Sequence, residues 1–190
     1  EDEKYVAEIE KSIYNNVIAN QVGDKGIRYH SVLVDQKESN QRVKYAMSTC
    51  CEGQGTRMMG ALPEFIYSVA DDGIYINLFE PSEIKFPLHK EEVSLAMETN
   101  FPYGPDVKIT VNTMQSSSFR IRLRIPAWIG KKMAVMINGR KTASGVPSTY
   151  LTLDRTWKKG DVVSFILPME FKLTKYEGEE QVEGYERFAL

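Results

Sequence analysis

With 190 residues, 42% of them apolar and 26% charged, the chain has the balance of an ordinary folded domain, and disorder is excluded over most of its length. Its 24 basic against 26 acidic side chains leave a formal charge of −2, so no basic field exists to grip nucleic acid or anionic lipid. No apolar run approaches the ~18–20 residues that cross a bilayer as a helix. The chain opens on Glu1 without a methionine and stops inside the apolar run Phe188-Ala189-Leu190. The expectation is a piece of a longer protein, and the lack of a leader is then uninformative.

The first twenty residues read as a helix. Val6, Ile9, Ile13 and Val17 recur at three- and four-residue steps, widened by Tyr5 and Ile18, while Glu3, Lys4, Glu8 and Lys11 cover the opposite side. Gly23 and Gly26 stop it. Residues 27–34 are rich in β-formers and read as a short strand, and residues 36–41 as a polar loop. Gly53 and Gly55 mark a turn or a close backbone approach. Thr56 then caps a second helix carrying Met58, Met59, Leu62, Phe65, Ile66 and Val69, which Pro63 kinks or delays.

From Asp71 the period switches to two. Ile74, Ile76 and Leu78 alternate with other residues, as do Val93, Leu95 and Met97, then Val107, Ile109 and Val111. Phe119, Ile121, Leu123 and Ile125 alternate with Arg120, Arg122 and Arg124, a stripe expected on a solvated sheet face. Met133, Val135 and Ile137 lead into Asn138-Gly139, a two-residue hairpin signal because both turn positions need positive φ. Short runs follow at Tyr150 to Leu153, Val162 to Leu167, Phe171 to Leu173 and Arg187 to Leu190, with Lys159-Gly160-Asp161 as a turn. The reading is mainly β: an antiparallel, jelly-roll-like β-sandwich over residues 71–190, preceded by a helical segment over residues 1–70. Two helices of that size build no core of their own, so they pack on the sandwich or belong to a larger helical domain.

Cys50 and Cys51 are the only cysteines, and a bridge between neighbours closes almost no loop. Three readings stay open from the residues alone: buried small hydrophobes, a redox or nucleophilic centre, or thiolate metal ligands lacking partners within the motif. His30 and His89 are the only histidines, and Glu52 and Glu64 are nearby carboxylates. Trp128, Trp157, Tyr103 and Tyr150 are core filler, or a stacking platform for sugar rings.

The run Ser48-Thr49-Cys50-Cys51-Glu52-Gly53-Gln54-Gly55-Thr56-Arg57, then Leu62 to Ser68 and Asp72 to Leu78, resembles the β-L-arabinofuranosidase-like glycoside hydrolases of families 127 and 146. The resemblance continues through Leu123-Arg124-Ile125-Pro126-Ala127-Trp128, Ile137-Asn138-Gly139, Trp157 to Val163 and Glu186 to Leu190. It implies that residues 1–70 are the last helices of an (α/α)6 barrel and that a catalytic barrel of the same protein lies upstream. It also implies that Cys50 is a nucleophile and zinc ligand and that Cys51 is a second zinc ligand. A glutamate, a further cysteine and the general acid lie upstream in family members. The function so implied is retaining hydrolysis of L-arabinofuranosides or related plant-glycan sugars, with the 190-residue chain inactive by itself and weak in zinc. A periplasmic or secreted location suits a glycan-degrading enzyme. The alternative is a non-catalytic carbohydrate-binding or domain-interaction module. No nucleic acid or membrane enters either reading.

Overall fold

The computed structural model describes residues 2–21, 27, 50–88, 91–178 and 183–189, without the side chains of Cys51, Glu52 and Ala189. His30, His89, the rest of the expected strand after Ile27 and the loop over residues 36–41 lie outside the described residues.

Helix α1 spans Glu3–Ser12, with Asp2 as its cap: the Asp2 carboxylate accepts from the Lys4 amide at 3.3 Å. The helix then widens to a π-turn over Ile13–Val17 and tightens to a 3-10 turn over Ile18–Asn20. Helix α2 spans Cys50–Ala61, so it begins before Thr56. Gly53 and Gly55 thus lie within a helix rather than a turn. A Cβ on Gly55 would lie 2.1 Å from Ile27 Cδ1, the tip of a side chain rather than backbone, and one on Gly53 would meet nothing within 4 Å. Pro63 ends the regular helix: a 3-10 turn, Leu62–Phe65, follows Ala61.

Twelve strands follow among the described residues. One sheet has the order β1 (Tyr67–Ala70), β2 (Gly73–Ile76), β6 (Ser117–Ile125), β9 (Thr149–Trp157). The other has the order β3 (Ser82–Leu88), β4 (Glu91–Thr99), β5 (Asp106–Thr113), β10 (Val162–Ile166), β7 (Met133–Ile137), β8 (Arg140–Gly145). Pairing is antiparallel except between β2 and β6, which run parallel with Ile74 beside Ile121. A separate ribbon joins β11 (Thr174–Lys175) to β12 (Phe188–Ala189). The run Phe171 to Leu173, expected as a strand, is not one, and both residues are exposed.

The period-2 residues meet between the two sheets. Ile74, Ile76, Ile121 and Leu123 face Leu95, Ile109, Val111, Val135 and Val163 in one buried core. Trp157 closes it, donating its indole N–H to the Phe119 carbonyl at 2.9 Å. Asn138 and Gly139 take φ of 51° and 77°, the primed turn the sequence predicts. Asn138 also ties that turn to the next one: its amide donates to Asp161 at 2.8 Å, and its oxygen accepts from the Val162 amide at 2.8 Å.

Candidate functional site on the helix–sheet seam

The helices dock on the outer face of the four-stranded sheet. Val6 and Ile13 of α1 form a small second core with Leu78, joined by Ile9, Met58, Leu62 and Phe65. This cluster sets α2 against α1. Cys50 stands at the start of α2 as described, and it is exposed. The Cys51 side chain lies outside the described residues. Among the described residues, no group of three or more His, Cys, Asp or Glu side chains could hold a metal ion. The adjacent cysteines are soft donors of the kind zinc takes, but two donors are half of a tetrahedral shell. A complete site needs donors from beyond the described residues.

The arginine stripe departs from the solvated face read from its alternation. Along β6 the side-chain exposure falls from 46% at Arg120 to 13% at Arg122 and 0% at Arg124. The reason is α1, which covers the Arg124 end of the strand. Arg124 Nε donates to Glu3 Oε1 and Nη2 to Glu10 Oε2, both at 2.9 Å, and Nη1 donates to the Asn77 carbonyl at 3.3 Å. Glu3, Val6, Glu10 and Ile13 are all buried. Glu3 therefore shares the apolar stripe rather than facing away from it. The 3-4-3 spacing was the available signal; carboxylates on a buried stripe need a buried cation.

The ladder continues outward from Arg124. Tyr150 donates its hydroxyl to Asn77 Oδ1 at 2.7 Å and meets Tyr75 edge-on at 5.1 Å. Arg122 stacks on Tyr75 at 4.8 Å and donates to both Asp72 oxygens, at 2.9 and 2.7 Å. Arg120 reaches Asp72 at 2.6 Å and Asp154 at 2.7 Å. Hydrogen bonds from Arg122 and Arg120 hold the Asp72 carboxyl well below its ordinary value, and the nearby positive charges add to this.

The inner end of the ladder opens into two clefts. Trp128 donates its indole N–H to Glu10 Oε2 at 2.9 Å and stacks on Phe101, centroids 5.8 Å apart and planes 11° from parallel. Both rings line a cleft of about 780 Å³, shared with Tyr14, Asn15 and Lys172. A smaller cleft of about 320 Å³ lies between α1, the 3-10 turn after α2 and the strand ends, lined by Tyr14, Glu10, Glu80 and Met59. Tyr14 hydrogen-bonds Glu80. Burial and the charges of Glu80 and Glu10 push its phenol up to about 12. Burial, with Glu10 adding to it, raises the Glu80 carboxyl, and the Tyr14 hydrogen bond opposes the rise. Glu10, Asn77, Glu80 and Phe101 are site residues that pattern reading missed. Trp157 proves to be core, and Tyr103 is exposed.

The family profile of the β-L-arabinofuranosidase GH127 middle domain matches residues 73–169, just over half of the chain. A non-reducing end β-L-arabinofuranosidase of Bifidobacterium longum subsp. longum is 22% identical over 187 residues, covering 90% of this chain and 28% of the relative. The solved GH127 β-L-arabinofuranosidase from Geobacillus stearothermophilus T6 superposes with a TM-score of 0.78 at 25% identity, over 94% of this chain and 30% of that one. A solved glycoside hydrolase gives the same TM-score at 26% identity, over 94% of this chain and 31% of that one. The chain thus spans less than a third of the length of these relatives.

Proposed function

We infer that the chain, which belongs to the β-L-arabinofuranosidase GH127 middle-domain family, is part of a glycoside hydrolase that releases L-arabinofuranose or a related sugar with retained configuration, with Cys50 as its nucleophile. The observation that carries this reading is the family match beside an adjacent cysteine pair on a helix docked to the matched sandwich. The fold is a platform here, and the chemistry enters from the helices it supports.

In this reading the Cys50 thiolate attacks the anomeric carbon. A sulfur–carbon bond forms as the bond to the leaving sugar oxygen breaks, and a carboxylic acid from outside this chain protonates that oxygen. Water then attacks the same carbon with its proton taken by the same carboxylate, and the sulfur–carbon pair returns to Cys50. Two inversions give net retention. Cys50 and Cys51 would hold zinc together with donors from outside this chain, and bound zinc would keep a thiol ionised at neutral pH. With its acid supplied from elsewhere in the protein, the chain by itself is expected to be inactive.

Cys50→Ala in the full-length protein should lower turnover of an aryl β-L-arabinofuranoside by at least ~10³-fold, with the melting temperature little changed. Undiminished turnover would sink the assignment.

A further inference from the structure

We propose that the larger seam cleft binds a neutral saccharide on the Trp128 ring. Three observations carry this.

The first is a preformed aromatic platform. Trp128 is 40% exposed, whereas Trp157 is fully buried. Its N–H is already committed to Glu10, which Arg124 fixes in turn, and Phe101 stacks on the ring. The indole is therefore held at the cleft without help from a ligand, so little ordering remains to be done on binding. The C–H face of a sugar ring carries partial positive charge and suits the negative face of an indole.

The second is the charge pattern. The cleft is lined by three acidic and three basic side chains, and most are paired: Lys11 with Glu8 at 3.6 Å, Glu170 with Lys131 at the rim, and buried Arg124 with Glu10 and with Glu3 behind it; Lys172 has no ion pair among the described residues. Opposed charges cancel at a distance, so the cleft has no strong field to select an anion or a cation. What it offers is a mixture of acceptors (carboxylates) and donors (Asn15 and Lys172) around an apolar floor. A ligand with many hydroxyls, each able to donate and accept, matches that mixture.

The third is size and construction. A volume of about 780 Å³ lies within the usual range for small-molecule sites. Its walls come from α1 and the π-turn after it, the segments after β4 and β10, and the turn after β6; Glu10 ties α1 to Arg124 and to Trp128 of that turn, and Glu170 ties the segment after β10 to Lys131. Cys50 does not line it, so the proposal stands or falls independently of the nucleophile assignment.

The test is titration of the 190-residue chain, followed by tryptophan emission, with arabinobiose, xylobiose and cellobiose, and with digalacturonate as an acidic control. The expected result is a saturable shift with at least one neutral disaccharide at millimolar concentration (~1–10 mM). Digalacturonate should bind at least about threefold more weakly than the best neutral sugar. Trp128→Ala should weaken binding roughly tenfold, measured by calorimetry because the reporter is lost. Because that variant also removes the bond to Glu10, exposed Asn15→Ala is the second probe, expected to weaken binding about three- to tenfold. Circular dichroism melts show which variants are folded. Loss of affinity in either folded variant supports the site. No saturable response to any neutral sugar, a response to digalacturonate as strong as the best neutral one, or unchanged affinity in both variants would overturn it.

Discussion

Arg124 sits on the strand face that alternation assigns to solvent, yet no part of its side chain is exposed. Burying a guanidinium costs several kcal/mol unless its donors and charge are matched, and here Nε, Nη1 and Nη2 each have an acceptor. Removing it would leave Glu3 and Glu10 buried without a cation. Arg124→Ala should therefore destabilise the fold by about 3–5 kcal/mol in urea unfolding. Arg124→Lys should recover only part of this, because an ammonium on a flexible stem cannot span three separated acceptors. A variant as stable as the parent would contradict the clamp. The outer arginines behave differently because water screens them. Asp72 is held below its ordinary value of 3.8, chiefly by Arg122. A depressed carboxyl stabilises the fold fully above its unfolded value, and the contribution is lost as pH falls through the folded one. The parent should thus be slightly more stable than Asp72→Asn at ~pH 7, and the gap should begin to narrow as pH falls below ~4 and go on narrowing in stronger acid. A gap that widens in acid would contradict the pairing.

At the scale of elements, the strands that the sequence made legible are those with a buried face. β4, β5, β6, β7 and β10 show clear alternation because each has a neighbour on both sides and buried apolar residues on its inner face. Of the strands it did not reveal, β1, β3 and β8 lie at the edges of the two sheets and β11 belongs to the separate ribbon. In β8 only Gly145 is buried, so no pattern marks it, whereas in β3 Ile84, Phe86 and Leu88 do alternate with exposed Glu83, Lys85 and Pro87. β3 even carries Pro87, which an edge tolerates. The parallel pairing of β2 with β6 was equally hidden, because it depends on what Gly73 lacks. Its φ is 151°, and a Cβ there would lie 2.0 Å from the Arg120 carbonyl oxygen. Gly73→Ala should cost at least ~2 kcal/mol, since the obstacle is backbone rather than a side-chain tip. A melting temperature within a degree or so of the parent's would show that the two strands can separate freely.

For the whole molecule, the sandwich and the seam differ in how far apart their determinants lie. The sandwich follows from local alternation and turn residues, and so could be read strand by strand. The seam depends on Arg124 meeting Glu10 and Glu3, 114 and 121 residues away, and no local pattern joins them. The cysteine pair was legible as chemistry but not as a complete site, because two thiolates fix neither a metal shell nor a proton donor. The family match and the docked helices give those cysteines a setting, and the nucleophile assignment is the claim on which the rest of the functional reading turns. Its most direct test is rapid quenching of the full-length protein with an aryl β-L-arabinofuranoside, followed by peptide mass spectrometry. The account predicts a pentosyl adduct on the peptide containing Cys50, absent in Cys50→Ala. An adduct on a different residue, or hydrolysis by Cys50→Ala at the parent's rate, would contradict it.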